Sequence, residues 1–230
     1  MSFSIKIISS MAMRQVLADL VALYGSHGTQ AQVAIESVGG VDAAKRVRAG
    51  EAFDAIVLAA ESIDQLIETG HIVRGSRVDL VTSGVSMAVR AGAPRPAIAT
   101  EDDVKRAVLT AASLSCSTGP SGVQLAKLFE RWGIADAIKH RLVQAPPGVP
   151  VGSLVADGKV ELGFQQLSEL MHLRGVDVLG PLPPAIQIVT TFSAGLSVTS
   201  HQADAVRAMC IFMASPAAAK AKRDNGMEPA

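Results

Sequence analysis

The apolar residues follow two alternating spacings along the chain, one typical of strands and one typical of helices. Ser4–Ile8 has isoleucine at three of its five positions and predicts a short buried strand. Apolar side chains then recur every three or four residues, which places them on one face of a helix: Met13, Val16, Leu17, Leu20, Val21 and Tyr24. Gly25 and Gly28 end that helix.

The same alternation continues through the next forty or so residues. Gln32–Glu36 predicts a second strand, and a helix over Gly39–Gly50 follows it. Phe53–Ala60 predicts a buried strand, which leads into a helix over Ser62–Gly70. Strands that alternate with helices in this order form a parallel sheet with helices on both faces.

Two long β-like segments, Val78–Arg90 and Ile186–Val198, interrupt this alternation, which resumes between them and ends with two C-terminal helices. The elements predicted between the two segments are helices Asp102–Leu109, Gly119–Trp132 and Val151–Asp157, and strands Ser113–Cys116, Arg141–Gln144 and Val160–Phe164.

We interpret this pattern as an α/β fold of two lobes joined by two extended crossings, near residues 81–90 and 185–193. The first lobe comprises residues 1–82 plus 190–230, and the second comprises residues 83–189. The carboxyl ends of both sheets are then expected to meet at a central cleft, where open α/β sheets bind ligands.

The charge balance and the aromatic content of the chain limit which classes of molecule it is expected to bind. The 230 residues include 21 basic and 21 acidic side chains, and 49% of them are hydrophobic, which excludes a disordered chain. Balanced charge argues against a nucleic-acid or anionic-membrane surface, because both require clustered Lys and Arg. With 3% aromatic residues, base-stacking platforms are not expected.

The mean hydropathy of +0.32 raises the question of a membrane span. Apolar runs such as Pro183–Val189 stop well short of the roughly 18 residues that a spanning helix needs, so no membrane insertion is expected. The first residues lack the basic and apolar regions of a signal peptide. As written the chain is expected to be cytoplasmic, whereas a chain from which a signal peptide had been removed would be periplasmic and look the same.

Cysteine and histidine usage predicts no cofactor and no metal site. Cys116 and Cys210 form no disulfide framework and are expected to be free thiols. The five histidines are scattered, without an HxxxH or CxxC pattern.

Four predicted strand-to-helix junctions carry small polar residues: Ser9-Ser10, Ala59–Ser62, Ser117–Gly122 and Gln165–Glu169. Free backbone N–H groups at a helix N-terminus, beside hydroxyl or amide groups, bind anions without a cation. Taken singly, each junction is more simply explained as ordinary helix capping. Because all four face one expected cleft, the candidate ligand-binding residues are Ser9, Ser10, Ala60, Ser117, Gly119, Ser121, Gly122, Gln165 and Gln166.

The third junction is the most specific of the four. Pro120 suits the first position of a helix, and Gly119 and Gly122 let a ligand approach the backbone closely. The spacing and the lysine of a phosphate-binding loop are missing, so a nucleotide site is not expected. A GxSxG nucleophile elbow is missing as well.

Two acidic residues, Glu61 and Glu169, lie at these junctions and are the candidate catalytic residues if the protein is an enzyme. A carboxylate beside an anion site with a raised pKa acts as a general base. Alternatively, a glutamate in a first helical turn simply complements the helix dipole.

Three sets of stretches resemble the molybdate-binding-like periplasmic solute-binding proteins: Phe53–Ala60 with Leu66–Gly70, Ser117–Gly122 with Leu128–Ile134, and Met213–Pro216. The resemblance covers nearly the whole chain and implies the type II periplasmic-binding-protein fold. It also implies an anion site lined by Ser9 or Ser10, Ala60, Ser121 and the Gln165 region. For an exported chain it implies an ABC transporter as partner.

The sequence departs from the true molybdate binders of that family, in which a tyrosine usually contributes to the pocket. Tyr24, the only tyrosine, lies on the first predicted helix. Thr118–Gly122 and Gln165–Leu170 look more like the subgroup that includes aconitate isomerase, which puts an organic carboxylate beside molybdate as a candidate ligand.

Two functions therefore stay open. In the first, the protein binds a small oxyanion or organic polycarboxylate through helix N-termini and Ser and Gln side chains. In the alternative, it is a cytoplasmic isomerase of an unsaturated polycarboxylic acid, with Glu169 or Glu61 shuttling a proton. We place binding first because it needs only hydrogen-bond donors, whereas the isomerase also needs a catalytic base.

Overall fold

The computed structural model describes residues 4–28, 32–146 and 148–230. The strands are β1 (Ser4–Ser10), β2 (Gln32–Val38), β3 (Ala55–Ala59), β4 (Val78–Arg90), β5 (Leu114–Cys116), β6 (Leu162–Gln166), β7 (Val176–Pro181), β8 (Val189–Leu196) and β9 (Glu228–Pro229). The α-helices are α1 (Arg14–Ser26), α2 (Gly40–Arg48), α3 (Ala60–Glu68), α4 (Glu101–Thr110), α5 (Pro120–Arg131), α6 (Ala135–Ile138), α7 (Val151–Ala156), α8 (Leu167–Leu170), α9 (Ala203–Ala214) and α10 (Ala219–Asp224). Short 3₁₀ helices cover Met11–Met13, Pro184–Ile186 and Pro216–Ala218.

The chain forms two compact units. The first comprises Met1–Ser83 with Thr190–Ala230, and the second comprises Gly84–Val189. Two strands carry the chain across the boundary, because β4 contains the step from Ser83 to Gly84 and β8 contains the step from Val189 to Thr190.

In the first unit the strands follow the order β2-β1-β3-β8-β4. β1 runs parallel to β2 and β3, and β8 runs antiparallel to β3. Successive side chains of β1 point to opposite faces, so Ile7 packs in the cluster that includes α1 and α9, and Ile8 packs in the cluster that includes α2 and α3. Helices therefore cover both faces, and the carboxyl ends of β1, β2 and β3 lie at one edge.

In the second unit β6 lies between β4, to which it is antiparallel, and β5, to which it is parallel. One face of this sheet packs through Met87 and Phe164 against the apolar residues of α4 and α5. The other face carries Gly163 and Gln165 and packs against α7. The carboxyl ends of β5 and β6 thus share one edge, as the parallel pairing requires.

The alternation of strands and helices predicted from periodicity is confirmed, with α3 beginning two residues earlier than expected. The predicted strand Arg141–Gln144 is wrong, since only Leu142 makes an isolated bridge, to Leu114. The sequence pattern also missed α6, β7 and β9. Among the described residues, no helix combines the length and the apolar character needed to cross a bilayer.

Close packing of α7 on β6 depends on Gly163, because an added Cβ would lie 2.5 Å from Cγ2 of Val155 and 3.0 Å from Cγ1 of Val151. We expect Gly163→Ala to lower the free energy of unfolding by about 1–3 kcal/mol, measured by urea denaturation. Gly25→Ala is the control, because an added Cβ there meets nothing within 4 Å and alanine favours a helix. Equal stability of the Gly163 variant and the wild type would contradict this packing.

Candidate functional site

Three helices of the first unit begin at the shared edge of β1, β2 and β3 without a side-chain cap. The residues that precede them are Ser10 before the 3₁₀ turn that leads into α1, Gly39 before α2, and Ala59 before α3, and none of the three makes a side-chain hydrogen bond to the helix. By contrast, α4 begins with a capping box between Thr100 and Asp103. No capping side chain therefore accepts a hydrogen bond from the first-turn N–H groups at this sheet edge.

Serine hydroxyls lie beside these N-termini. The Oγ atoms of Ser9 and Ser37 are 2.8 Å apart, which joins the ends of β1 and β2. Ser10 is 7% exposed, and its Oγ has no hydrogen-bond partner among the described residues. A Cβ on Gly40 would lie 3.6 Å from Cβ of Ser10, so this buried hydroxyl lies next to the first residue of α2.

In the second unit the candidate residue Ser117 follows β5, and Gln165 lies near the end of the neighbouring strand β6. Cys116 pairs with Phe164, so the residues that come next lie at the same edge of the sheet. The Oγ atoms of Ser117 and Ser121 are 2.9 Å apart, and Ser121 is buried in the first turn of α5. Gly119 precedes this helix without capping it.

Gly122 shows how tightly that loop folds onto the start of α5. A Cβ at this position would lie 1.6 Å from the carbonyl oxygen of Ser117, so no other residue fits without moving the backbone. The N–H of Gly122 donates to the carbonyl of Gly119. The glycine therefore sets the loop conformation that brings the hydroxyls of Ser117 and Ser121 together.

Gln165 links two parts of the second unit. Its Oε1 accepts a hydrogen bond of 2.8 Å from the backbone N–H of Gly152, at the start of α7. Its Nε2 donates a hydrogen bond of 2.8 Å to Oε1 of Glu169. Because the backbone N–H can only donate, the amide orientation is fixed and its NH₂ group faces the carboxyl group.

Glu169 is half-buried on α8, and burial raises its pKa to about 7. The hydrogen bond from Gln165 opposes this shift, since it favours the ionised form. A carboxyl group with a pKa near neutrality exchanges a proton readily at physiological pH, which is what a general acid or base requires.

The other candidates take different positions. Ala60 is the first residue of α3, and Glu61, the second acidic candidate, is exposed in the first turn of that helix. Gln166 is buried at the residue before α8. Within the described ranges, no three His, Cys, Asp or Glu residues lie close enough together to hold a metal ion.

Both cysteines are free thiols. Burial raises the pKa of the Cys116 thiol, and it raises the pKa of Cys210 to about 12. Neither thiol is therefore a reactive thiolate at neutral pH.

Sequence reasoning missed three polar groups at these edges. Ser37 ends β2 near the Gly39-Gly40 pair, and the strand-end pattern used for the other junctions would have found it. Gly152 contributes only a backbone N–H, which donates to Gln165, and Ser86 lies opposite Gln165 where β4 pairs with β6. No local pattern indicates either of these two.

The strand ends carry dipoles rather than cations. Segments 8–13, 37–41, 58–62, 115–122 and 165–170 contain neither Lys nor Arg. Hydroxyls, amides and first-turn N–H groups bind an anion through hydrogen bonds and the positive ends of helix dipoles. A cavity of about 240 Å³ lies elsewhere in the second unit, beside Arg95 and Glu161, and none of the candidate residues lines it.

The sequence matches the family model for bacterial extracellular solute-binding proteins over residues 5–228. The chain belongs to this family. A relative, the aconitate isomerase of a Pseudomonas species, is 38% identical over 187 residues, which cover 80% of this chain and 70% of that protein.

Solved structures show the same fold. The periplasmic molybdate-binding protein of Azotobacter vinelandii matches with a TM-score of 0.81 at 18% identity, over 97% of this chain and 98% of that one. The sulfate-binding protein of Mycobacterium tuberculosis matches with a TM-score of 0.79 at 17% identity, over 99% of this chain and 87% of that one. The predicted periplasmic-binding-protein fold and the resemblance to molybdate-binding-like proteins are thus confirmed.

The raised pKa of Glu169 makes stability depend on pH. The folded protein keeps a proton that an unfolded chain, with an ordinary pKa near 4.5, has already released, so the free energy of unfolding falls as pH rises from about 4.5 to about 7. We expect Glu169→Gln, which removes the buried charge, to be more stable than the wild type by about 1–3 kcal/mol at pH 8 and nearly equal to it at pH 4. Urea denaturation at both pH values measures this.

Glu130→Gln is the matched control, because Glu130 is an exposed glutamate at the other end of α5 in the same unit. Its stability relative to the wild type is expected to be the same at both pH values. A pH-independent effect of Glu169→Gln would show that the carboxyl group has an ordinary pKa.

Proposed function

We propose that the protein binds a small oxyanion or organic polycarboxylate through uncapped helix N-termini and neighbouring Ser and Gln side chains. The observation that carries this proposal is the set of strand-end helices without side-chain caps, beside the buried, unpartnered hydroxyl of Ser10. Orphan N–H groups and hydroxyls together satisfy anion oxygens without a cation.

Family membership supports a binding function, and two neighbours by fold are named for molybdate and sulfate. Both are tetrahedral oxyanions whose oxygens accept hydrogen bonds. A carboxylate presents similar acceptors to N–H and O–H donors. If the protein is exported, its partner is an ABC transporter that receives the captured anion.

A second function, proton-transfer isomerisation of an unsaturated polycarboxylate, is favoured by the relative named aconitate isomerase and by Glu169 with its pKa near 7. In this reaction ionised Glu169 removes a proton from the carbon beside a carboxylate. The electron pair enters the allylic system and Glu169 returns the proton at its far carbon. The double bond shifts and no atom is lost.

Proton NMR in D₂O distinguishes these functions. The panel contains cis- and trans-aconitate, citrate and muconates, with molybdate and sulfate as competitors. A binding protein is expected to broaden the signals of at least one acid reversibly and to leave the chemical structure of that acid unchanged. An isomerase is expected to produce new isomer signals and solvent deuterium in the product, and Glu169→Gln would reduce that rate by at least about 100-fold.

Removing a single site hydroxyl tests where the anion binds. We expect Ser10→Ala and Ser121→Ala each to weaken binding by about 5- to 20-fold, since each removes one hydrogen bond to a charged ligand. Calorimetric titration with the anion that gave the strongest NMR effect measures this. Ser26→Ala is the control, because the exposed Ser26 hydroxyl bonds only within and beside the end of α1. Unchanged affinity in both site variants would contradict the proposed placement.

A further inference from the structure

The carboxyl group of Glu169 has no cation beside it in the segments that form its edge of the second unit. Segments 115–122, 150–153 and 165–170 contain no Lys or Arg, and Glu169 is their only acidic residue. Among the described residues, its side-chain hydrogen bond is to the neutral amide of Gln165. Nothing in these segments compensates a negative charge at this position.

The elements packed against α8 are equally poor in charge. β6 and α7 carry no ionisable residue. On β7, Asp177 accepts a hydrogen bond from the N–H of Gly92 and lies 3.8 Å from Arg95, so it is already partnered. His172 and Arg174, which follow α8, are exposed.

A bound anion changes which form of the Glu169 carboxyl group, ionised or protonated, is favoured. An ionised carboxylate and an anion at the same edge repel each other, and the repulsion is strong where burial excludes water. A protonated carboxyl group instead offers an O–H donor to the anion. Because Gln165 donates to Oε1, the proton belongs on the other oxygen, where it is free to point at a ligand.

We propose that the protein takes up one proton on Glu169 with each anion it binds, so that the carboxyl group donates a hydrogen bond to a ligand oxygen. Gln165 is then a positioning residue: Gly152 fixes its amide, and the amide fixes the carboxyl group. This inference rests on the proposed binding function. It also conflicts with the isomerase function, because an isomerase needs Glu169 ionised in the complex with its substrate.

The test is calorimetric titration of the whole protein with trans-aconitate, cis-aconitate, molybdate and sulfate, in buffers of different ionisation enthalpy. The dependence of the observed heat on the buffer gives the number of protons taken up. At pH 8 free Glu169 is mostly ionised, since its pKa is about 7, so close to one proton per anion is expected. At pH 5.5 uptake falls to nearly zero, and between pH 7.5 and 8.5 affinity falls by up to about tenfold.

Glu169→Gln is expected to abolish the uptake and to flatten the pH dependence of affinity, while still binding, because a glutamine amide also donates to the anion. Glu130→Gln is expected to keep the full uptake. Binding without proton uptake, or uptake that persists in Glu169→Gln because the ligand itself is protonated, overturns this inference and leaves the binding function intact. No binding of any of the four anions overturns both.

Discussion

Every α-helix begins with N–H groups that have no acceptor within the helix, and the anion site that we propose depends on where those groups lie. Three helices in the first unit and α5 in the second start at the carboxyl ends of parallel strands without a side-chain cap. Parallel pairing of β1, β2 and β3 brings three such N-termini to one edge. The residues just before these helices, among them Ser10, Gly39 and Gly119, make no side-chain hydrogen bond to the helix N-terminus.

In this arrangement an anion can be recognised without a net positive charge on the protein groups around it. Donors that are dipoles bind an anion without a salt bridge. In the second unit, where α5 also begins without a side-chain cap, one acidic side chain at the sheet edge therefore has a large effect. Glu169 is that side chain, and burial raises its pKa to about 7. In the two functions that we propose, the same donors hold the ligand, and the difference is whether the Glu169 carboxyl group holds its proton in the complex. The match to a solute-binding family and the similarity to a protein named aconitate isomerase support these two proposals respectively.

Much of this architecture follows from local sequence patterns. The apolar run of β3 and the helical periodicity of α5 predicted their positions, and the strand-end rule gave Ser10, Ser117, Ser121 and Gln165 as candidate site residues. β7 was missed because it is short, half-buried and ended by Pro181, so it shows no alternation. The contact between Gly152 and Gln165 could not be predicted either, since it depends on how α7 packs on Gly163. Long-range packing thus determines which of two chemically similar residues, Glu61 or Glu169, is buried.

A crystal structure with a bound anion would show directly which groups of the protein hold the ligand. We expect ligand oxygens to lie within hydrogen-bond distance, about 2.7–3.1 Å, of first-turn N–H groups and of the Ser10 or Ser121 hydroxyl. If every ligand oxygen accepts such a hydrogen bond and no Lys or Arg side chain contacts the ligand, the protein recognises its anion through dipoles. An anion held mainly by basic side chains, or seated in the cavity beside Arg95, would contradict it.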